Sequence, residues 1–148
     1  MKLLISKLNK YFKVDKNRKL NNFIPEYKII LDKINLNLKK ENINGTYLKE
    51  KIYENNIFEI VLITWGSHSK SPIHSHPTNG CILTILDGNL IEETYTIDNI
   101  FKKSRVLKNG DIGYIENLYG KHKIINENNH NVYSLHIYSP PKFYDNCK

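Results

Sequence analysis

In the stretch PIHSHPTNGCILTILDGNL (72–90), His74 and His76 stand two residues apart, and Cys81 follows five residues after the second. In an extended chain residues i and i+2 face the same way, so the two imidazoles lie side by side, as a metal ion requires of one strand. A His-x-His pair also occurs on strands that bind nothing. A third imidazole comes from His122 in GKHKIIN (120–126), at the start of another expected strand and just after a turn at Gly120. Drawn from a distant strand, it completes a three-histidine facial set on the inner wall of a barrel. Imidazole donors suit iron, zinc, copper and nickel alike, so the donor set does not name the metal. Near the end, Ser134, His136 and Tyr138 alternate in SLHIYSPP (134–141), which turns all three side chains to one face of a strand.

These residues need a scaffold. A chain of 148 residues with 40% hydrophobic content is enough for one domain with one core. The expected organisation is a helical front over 1–43, a β-barrel over 44–141 and a short tail over 142–148. Leu4, Leu8, Tyr11 and Phe12 mark a short first helix. In EYKIILDKINLNLKK (26–40), Tyr27, Ile30, Leu31, Ile34 and Leu38 have helical spacing and predict a second, amphipathic one.

From Asn44-Gly45 onward the pattern changes to short strands between turns. IFEIVLITW (57–65) is β-branched and apolar, and CILTILDG (81–88) ends in an Asp-Gly hairpin signal. NLIEETYTI (89–97), SRVLKNGDIGYI (104–115) with its Asn109-Gly110 turn, HKIIN (122–126) and VYSLHIYS (132–139) complete the series. Evenly spaced strands with Gly-centred turns and no helical interludes predict a mostly β fold, an antiparallel barrel or jelly roll behind short N-terminal helices.

Composition removes several function classes. The net charge of +7 comes from lysines spread along the chain, with only Arg18 and Arg105 as arginines. Nucleic-acid readers cluster their cations on one face, so no nucleic-acid partner is expected. Lys2, Lys7 and Lys10 interrupt the apolar start, so no signal peptide is expected, and no run approaches the ~18 apolar residues of a membrane span. Two distant cysteines, Cys81 and Cys147, do not make a disulfide framework. The expectation is a soluble cytoplasmic monomer acting on a small molecule.

The runs Gly66…His74-Ser-His76…Cys81…Gly88 and Gly120-Lys-His122…Asn126 resemble the two cupin motifs. With WGSHSKSPIHSHPTNGCILTILDGNLIEETY (65–95) and SLHIYSPP, the chain closely resembles the thiol dioxygenase branch of the cupins, the cysteine dioxygenases in particular, from about Thr46 to Pro141. The resemblance implies iron(II) held by His74, His76 and His122, and conversion of L-cysteine and O2 to cysteine sulfinate, a step of cysteine catabolism. Most cupins place a glutamate ligand where Cys81 stands. Three neutral imidazoles without that carboxylate leave a metal its full charge and open positions, which favours thiolates.

The resemblance further implies that Ser134, His136 and Tyr138 form a hydrogen-bonded line holding the Tyr138 hydroxyl near the metal, and that Cys81 and Tyr138 can be joined by a thioether. The family clamps the substrate carboxylate with an arginine in a Tyr-x-Arg stretch. Here TYLKEK (46–51) supplies Tyr47 and, in the arginine's place, Lys49, a point charge that lacks the bidentate fork. Looser carboxylate binding, or another small thiol such as 3-mercaptopropionate, is the expectation from that departure. The chain stops soon after Pro141 where the family carries a closing tail, which implies a more open pocket. A metal- or thiol-binding cupin without oxygenase activity and a zinc-stabilised barrel are the other readings these residues permit.

Overall fold

A computed structural model describes residues 1–38 and 41–142. Residues 39–40 and 143–148, including Cys147 and most of the expected tail, lie outside the described part. Helix α1 (Lys2–Val14) buries Leu4, Leu8, Tyr11 and Phe12, which recur at three- and four-residue spacing. Helix α2 (Ile24–Ile30) carries Pro25 in its first turn, where a missing N–H costs nothing, and buries Tyr27 and Ile30. It is shorter than the sequence predicts. A single 3-10 turn over Leu31–Lys33 closes it and Ile34 is already extended. The reason lies in INLNL (34–38), where Ile34, Leu36 and Leu38 are partly buried and Asn35 and Asn37 exposed. That alternation has a period of two, and asparagine adds little helix propensity to resist it.

Among the described residues eight strands follow: β1 (Tyr47–Glu54), β2 (Glu59–Trp65), β3 (Cys81–Asp87), β4 (Leu90–Tyr95), β5 (Phe101–Leu107), β6 (Ile112–Ile115), β7 (Lys121–Ile125) and β8 (Val132–Tyr138). They form a five-stranded sheet in the order β1-β2-β8-β3-β6 and a three-stranded sheet in the order β5-β4-β7. All strand pairs are antiparallel. The Asp87-Gly88 turn, expected to close a hairpin, instead carries the chain from one sheet to the other. Both edges of β3 are already taken by β6 and β8, so β4 pairs with β5 and β7. The Asn109-Gly110 turn crosses back in the same way, from β5 to β6. These crossings make the jelly roll.

Alternation along the strands sorts side chains into two cores. Ile60, Ile82, Leu135 and Ile137 pack outward against Leu4, Leu8, Phe12, Phe23 and Tyr27 of the helical front. Val61, Ile63, Trp65, Leu83, Ile85 and Val132 face inward and meet Leu90, Leu107 and Ile124 of the smaller sheet. Among the described residues no helix is long and apolar enough to cross a membrane.

Candidate metal centre

The three histidines converge inside the roll. His122 sits near the start of β7, after Gly120, whose φ of +108° puts it in the region glycine tolerates. A Cβ at Gly120 would collide with the Tyr95 carbonyl, so the turn that aims β7 requires the bare backbone. His74 and His76 lie on an extended segment rather than in a full strand. That segment pairs with β7 only through isolated bridges, with His74 N–H donating to His122 O at 2.9 Å and His122 N–H to His74 O at 3.0 Å. Pro72 and Pro77 flank the pair and carry no N–H, which prevents a longer ladder. The two rings still stand side by side with centroids 4.8 Å apart, and those of His76 and His122 are 4.2 Å apart.

Hydrogen bonds assign the ring protons. His74 Nδ1 faces the Pro72 carbonyl at 2.9 Å and His122 Nδ1 faces the Glu92 carboxylate at 2.8 Å, both acceptors only. Each Nδ1 therefore carries a proton, and in the neutral form of the rings each Nε2 presents a bare lone pair. The two Nε2 atoms lie 3.0 Å apart, too close for two lone pairs unless a proton or a metal cation stands between them. His76 is 1% exposed and neither of its nitrogens has a hydrogen-bond partner among the described residues, a costly state for a buried polar group. One ion relieves both conflicts. Two nitrogens each about 2.1 Å from a shared ion lie roughly 3.0–3.4 Å apart, so the spacing suits a common ligand sphere. The candidate donor atoms of all three histidines lie within 4.8 Å of one another.

Electrostatics favour the same state. Burial, then the neighbouring His122 and Lys49, pulls the His74 imidazole down to about 3, against the single Pro72 carbonyl contact. Burial likewise holds His76 well below the usual imidazole range. Both rings are neutral at ordinary pH, the form in which imidazole binds metals.

Strand β8 supplies the opposite wall. Ser134, His136 and Tyr138 all face inward and form one line: Ser134 Oγ lies 2.7 Å from His136 Nε2, and His136 Nδ1 lies 3.2 Å from the Tyr138 hydroxyl. The line begins at Trp65, before Ser134. Trp65 Nε1–H donates to Ser134 Oγ at 2.8 Å. An indole N–H can only donate, so Ser134 accepts from Trp65, and its own O–H is available to donate to His136 Nε2. In that arrangement His136, kept neutral by burial, carries its proton on Nδ1, donates to the Tyr138 oxygen and leaves the Tyr138 proton turned away from it.

Cys81 stands directly opposite Tyr138 in the β3–β8 register, with its sulfur 4.0 Å from His136 Nδ1. It is a buried free thiol, and burial pushes its ionisation up, out of the thiolate range at neutral pH. On β1, Tyr47 stacks beside Trp65 with ring centroids 4.9 Å apart, and Lys49 Nζ lies 5.9 Å from the Tyr47 ring centroid. Lys51, on the same strand, contacts Glu54 at 2.5 Å and Glu59 at 3.8 Å. Tyr47, Lys49, Trp65, His74, His122, His136 and Tyr138 line a common pocket. Asn126, part of the second motif, points away to bind the Trp65, Gly66 and His130 carbonyls.

Two contributors escape the motif reading. Glu92 is buried on β4, with Oε2 on His122 and Oε1 accepting from Arg105 Nε at 2.7 Å. Burial pushes its carboxyl up, and the contacts with His122 and Arg105 more than offset this, leaving it below its ordinary value. The signal available was its phase, since Glu92 shares the inward side of NLIEETY with Leu90. Trp65 lay within the quoted motif run, yet only the fold brings its indole to Ser134.

Comparison with known proteins gives the family and the fold. The family described as cysteine dioxygenase type I matches residues 44–148. Human cysteine dioxygenase type 1 is 33% identical over 100 residues, covering 63% of this chain and 49% of that protein. The Danio rerio protein of the same name is 29% identical over 102 residues, covering 64% and 50%. The chain spans about half the length of the curated relatives it matches. Among solved structures, a cupin superfamily protein from Desulfitobacterium hafniense DCB-2 superposes with a TM-score of 0.56 at 13% identity, over 67% of this chain and 82% of that one. An RmlC-like cupin from Shewanella frigidimarina NCIMB 400 gives 0.54 at 17% identity, over 72% and 87%. These two establish the fold.

Proposed function

The chain belongs to the cysteine dioxygenase type I family, and on that premise we propose that it is an iron-dependent thiol dioxygenase converting L-cysteine and O2 to cysteine sulfinate. The observation that carries the reading is that His74, His122 and Tyr138 line one pocket, together with a cation, Lys49. His74, His76 and His122 hold the iron. When bound, iron(II) supplies a Lewis acid that favours the thiolate and a redox centre for O2. The reaction places both atoms of O2 on sulfur, which gives up four electrons to them.

The protein's own groups bind, orient and exclude. Lys49 receives the substrate carboxylate, seated against the Tyr47 ring that Trp65 supports. The Trp65–Ser134–His136 line fixes the Tyr138 oxygen and leaves its proton as the donor toward the reacting atoms. The buried rings of His76 and His136 leave water little access to the site. Cys81, across the rung from Tyr138, is in the position for the thioether, which would hold the phenol rigid. A buried free thiol fits a reducing, cytoplasmic setting.

Lys49 favours a second substrate reading. A lone ammonium attracts a carboxylate without the planar fork that would fix its orientation, so 3-mercaptopropionate is the competing thiol. Oxygen uptake by iron(II)-loaded protein, run in parallel with L-cysteine and 3-mercaptopropionate and with the product weighed by mass spectrometry, tests both. Uptake with cysteine and a two-oxygen mass gain is the expected result. Faster turnover of 3-mercaptopropionate shifts the substrate. No uptake with either thiol despite bound iron overturns the enzyme reading and leaves a metal- or thiol-binding cupin.

A further inference from the structure

Glu92 is 3% exposed and uses its two carboxylate oxygens on different partners, His122 Nδ1 and Arg105 Nε. Arg105 stands directly opposite Glu92 on β5, an edge of the three-stranded sheet, and its side chain is 46% exposed. Its guanidinium reaches to β6, an edge of the other sheet, where a Cβ on Gly113 would lie 3.2 Å from Nη2. The guanidinium thus occupies the gap between the two sheets, with Glu92 on one side and a bare glycine backbone on the other.

This arrangement has a directional consequence. A carboxylate held at one oxygen still swings about its side-chain torsions. A planar donor on the other oxygen sets its plane. Through the 2.8 Å contact to Nδ1, that plane sets where His122 Nε2 points. The Arg105–Glu92 pair is neutral as a whole, so it can orient the ring without cancelling the charge of a bound ion.

We propose that Arg105 is a positioning residue of the metal centre, acting through Glu92 to aim His122 Nε2 at the space shared with His74 and His76. The inference rests on the reading that these three histidines hold a metal. It makes an exposed edge-strand arginine part of the metal site's outer support.

The test is Co(II) titration of the metal-free full chain, followed by the visible absorption of the bound ion, with affinities set by competition against a chelator. Arg105→Met is expected to weaken binding about 10–100-fold and to alter the band shape, as loss of an outer contact to a ligating histidine does. Glu92→Gln should do the same, and the double variant should bind no more weakly than Glu92→Gln alone, because both act through one contact. Arg105→Lys should recover little, since lysine is a freely rotating point charge without the planar Nε–H donor that meets Glu92 Oε1. Gly113→Ala, which keeps both charges and crowds the guanidinium, should weaken binding a few-fold and carries the comparison should Arg105→Met fail to fold. Wild-type affinity in Arg105→Met or, where that variant does not fold, in Arg105→Lys and Gly113→Ala, overturns the proposal, as does full additivity with Glu92→Gln. Absence of Co(II) uptake by the wild type, or unchanged uptake by His122→Ala, overturns the three-histidine reading itself and this inference with it.

Discussion

The two faces of the five-stranded sheet are built from the same strands and have opposite characters. The inner face of β8 presents Ser134, His136 and Tyr138, and that of β3 presents Cys81. The outer face of the same strands presents Ile82, Leu135 and Ile137 to α1 and α2. A strand with period two can therefore carry a polar, chemically demanding surface on one side, provided that the other side has an apolar partner. The helical front is that partner. It covers the sheet, and none of its described residues lines the pocket.

If the faces divide labour in this way, inner substitutions should abolish chemistry at little cost in stability, and outer ones the reverse. The largest effect is expected from His76→Ala. Metal affinity should fall by more than the roughly 10–100-fold carried by outer contacts, measured by iron content after dialysis, and oxygen uptake should vanish. Tyr138→Phe should keep its iron and its melting temperature and lose turnover by about 100-fold, as removal of a positioned proton donor does. Loss of metal in that variant would break the division between ligand cluster and hydroxyl line.

On the outer face, Leu135→Ala should cost about 2–5 kcal/mol in urea unfolding, the price of a core cavity, with turnover per folded molecule unchanged. A fall in turnover at full folding would show that the outer core also sets the inner geometry. The smallest effect concerns Tyr27, whose hydroxyl bonds Thr84 on the outer side of β3 at 2.8 Å. Burial raises the Tyr27 phenol to about 12. A folded-state value above the unfolded ~10 means that its stabilisation is intact below pH 10 and is lost as pH rises toward 12. Tyr27→Phe should lose about 1 kcal/mol at neutral pH and show a shallower alkaline fall in melting temperature. Parallel curves for the two proteins would remove Tyr27 from the account.

The inner face was the more legible of the two. His74, His76, His122, Ser134, His136 and Tyr138 announce themselves by residue type and spacing, because ligand chemistry needs few residue kinds at fixed intervals. Glu92 and Arg105 do not, since a glutamate and an arginine in a charged strand usually face solvent. Lys49 was found through its place in a motif, and its position in the pocket depends on β1 pairing with β2 in one register, Lys49 opposite Ile63.

Taken alone, the sequence determined the strands other than β1 (Tyr47–Glu54) and which side chains share a face, because alternation and turn residues are local properties of the chain. It also specified the donor set and the departure at Lys49. Only the tertiary structure decided that the Asp87-Gly88 and Asn109-Gly110 turns cross between sheets, since the edges of β3 are filled by strands distant in sequence. The tertiary structure likewise ended α2 at Ile30, where an alternating apolar pattern found a core to pack against. It brought Trp65 to Ser134 and Arg105 to Glu92. The first contact depends on pairing between strands far apart along the chain, which no local pattern encodes, and the second on the register of the β4–β5 hairpin.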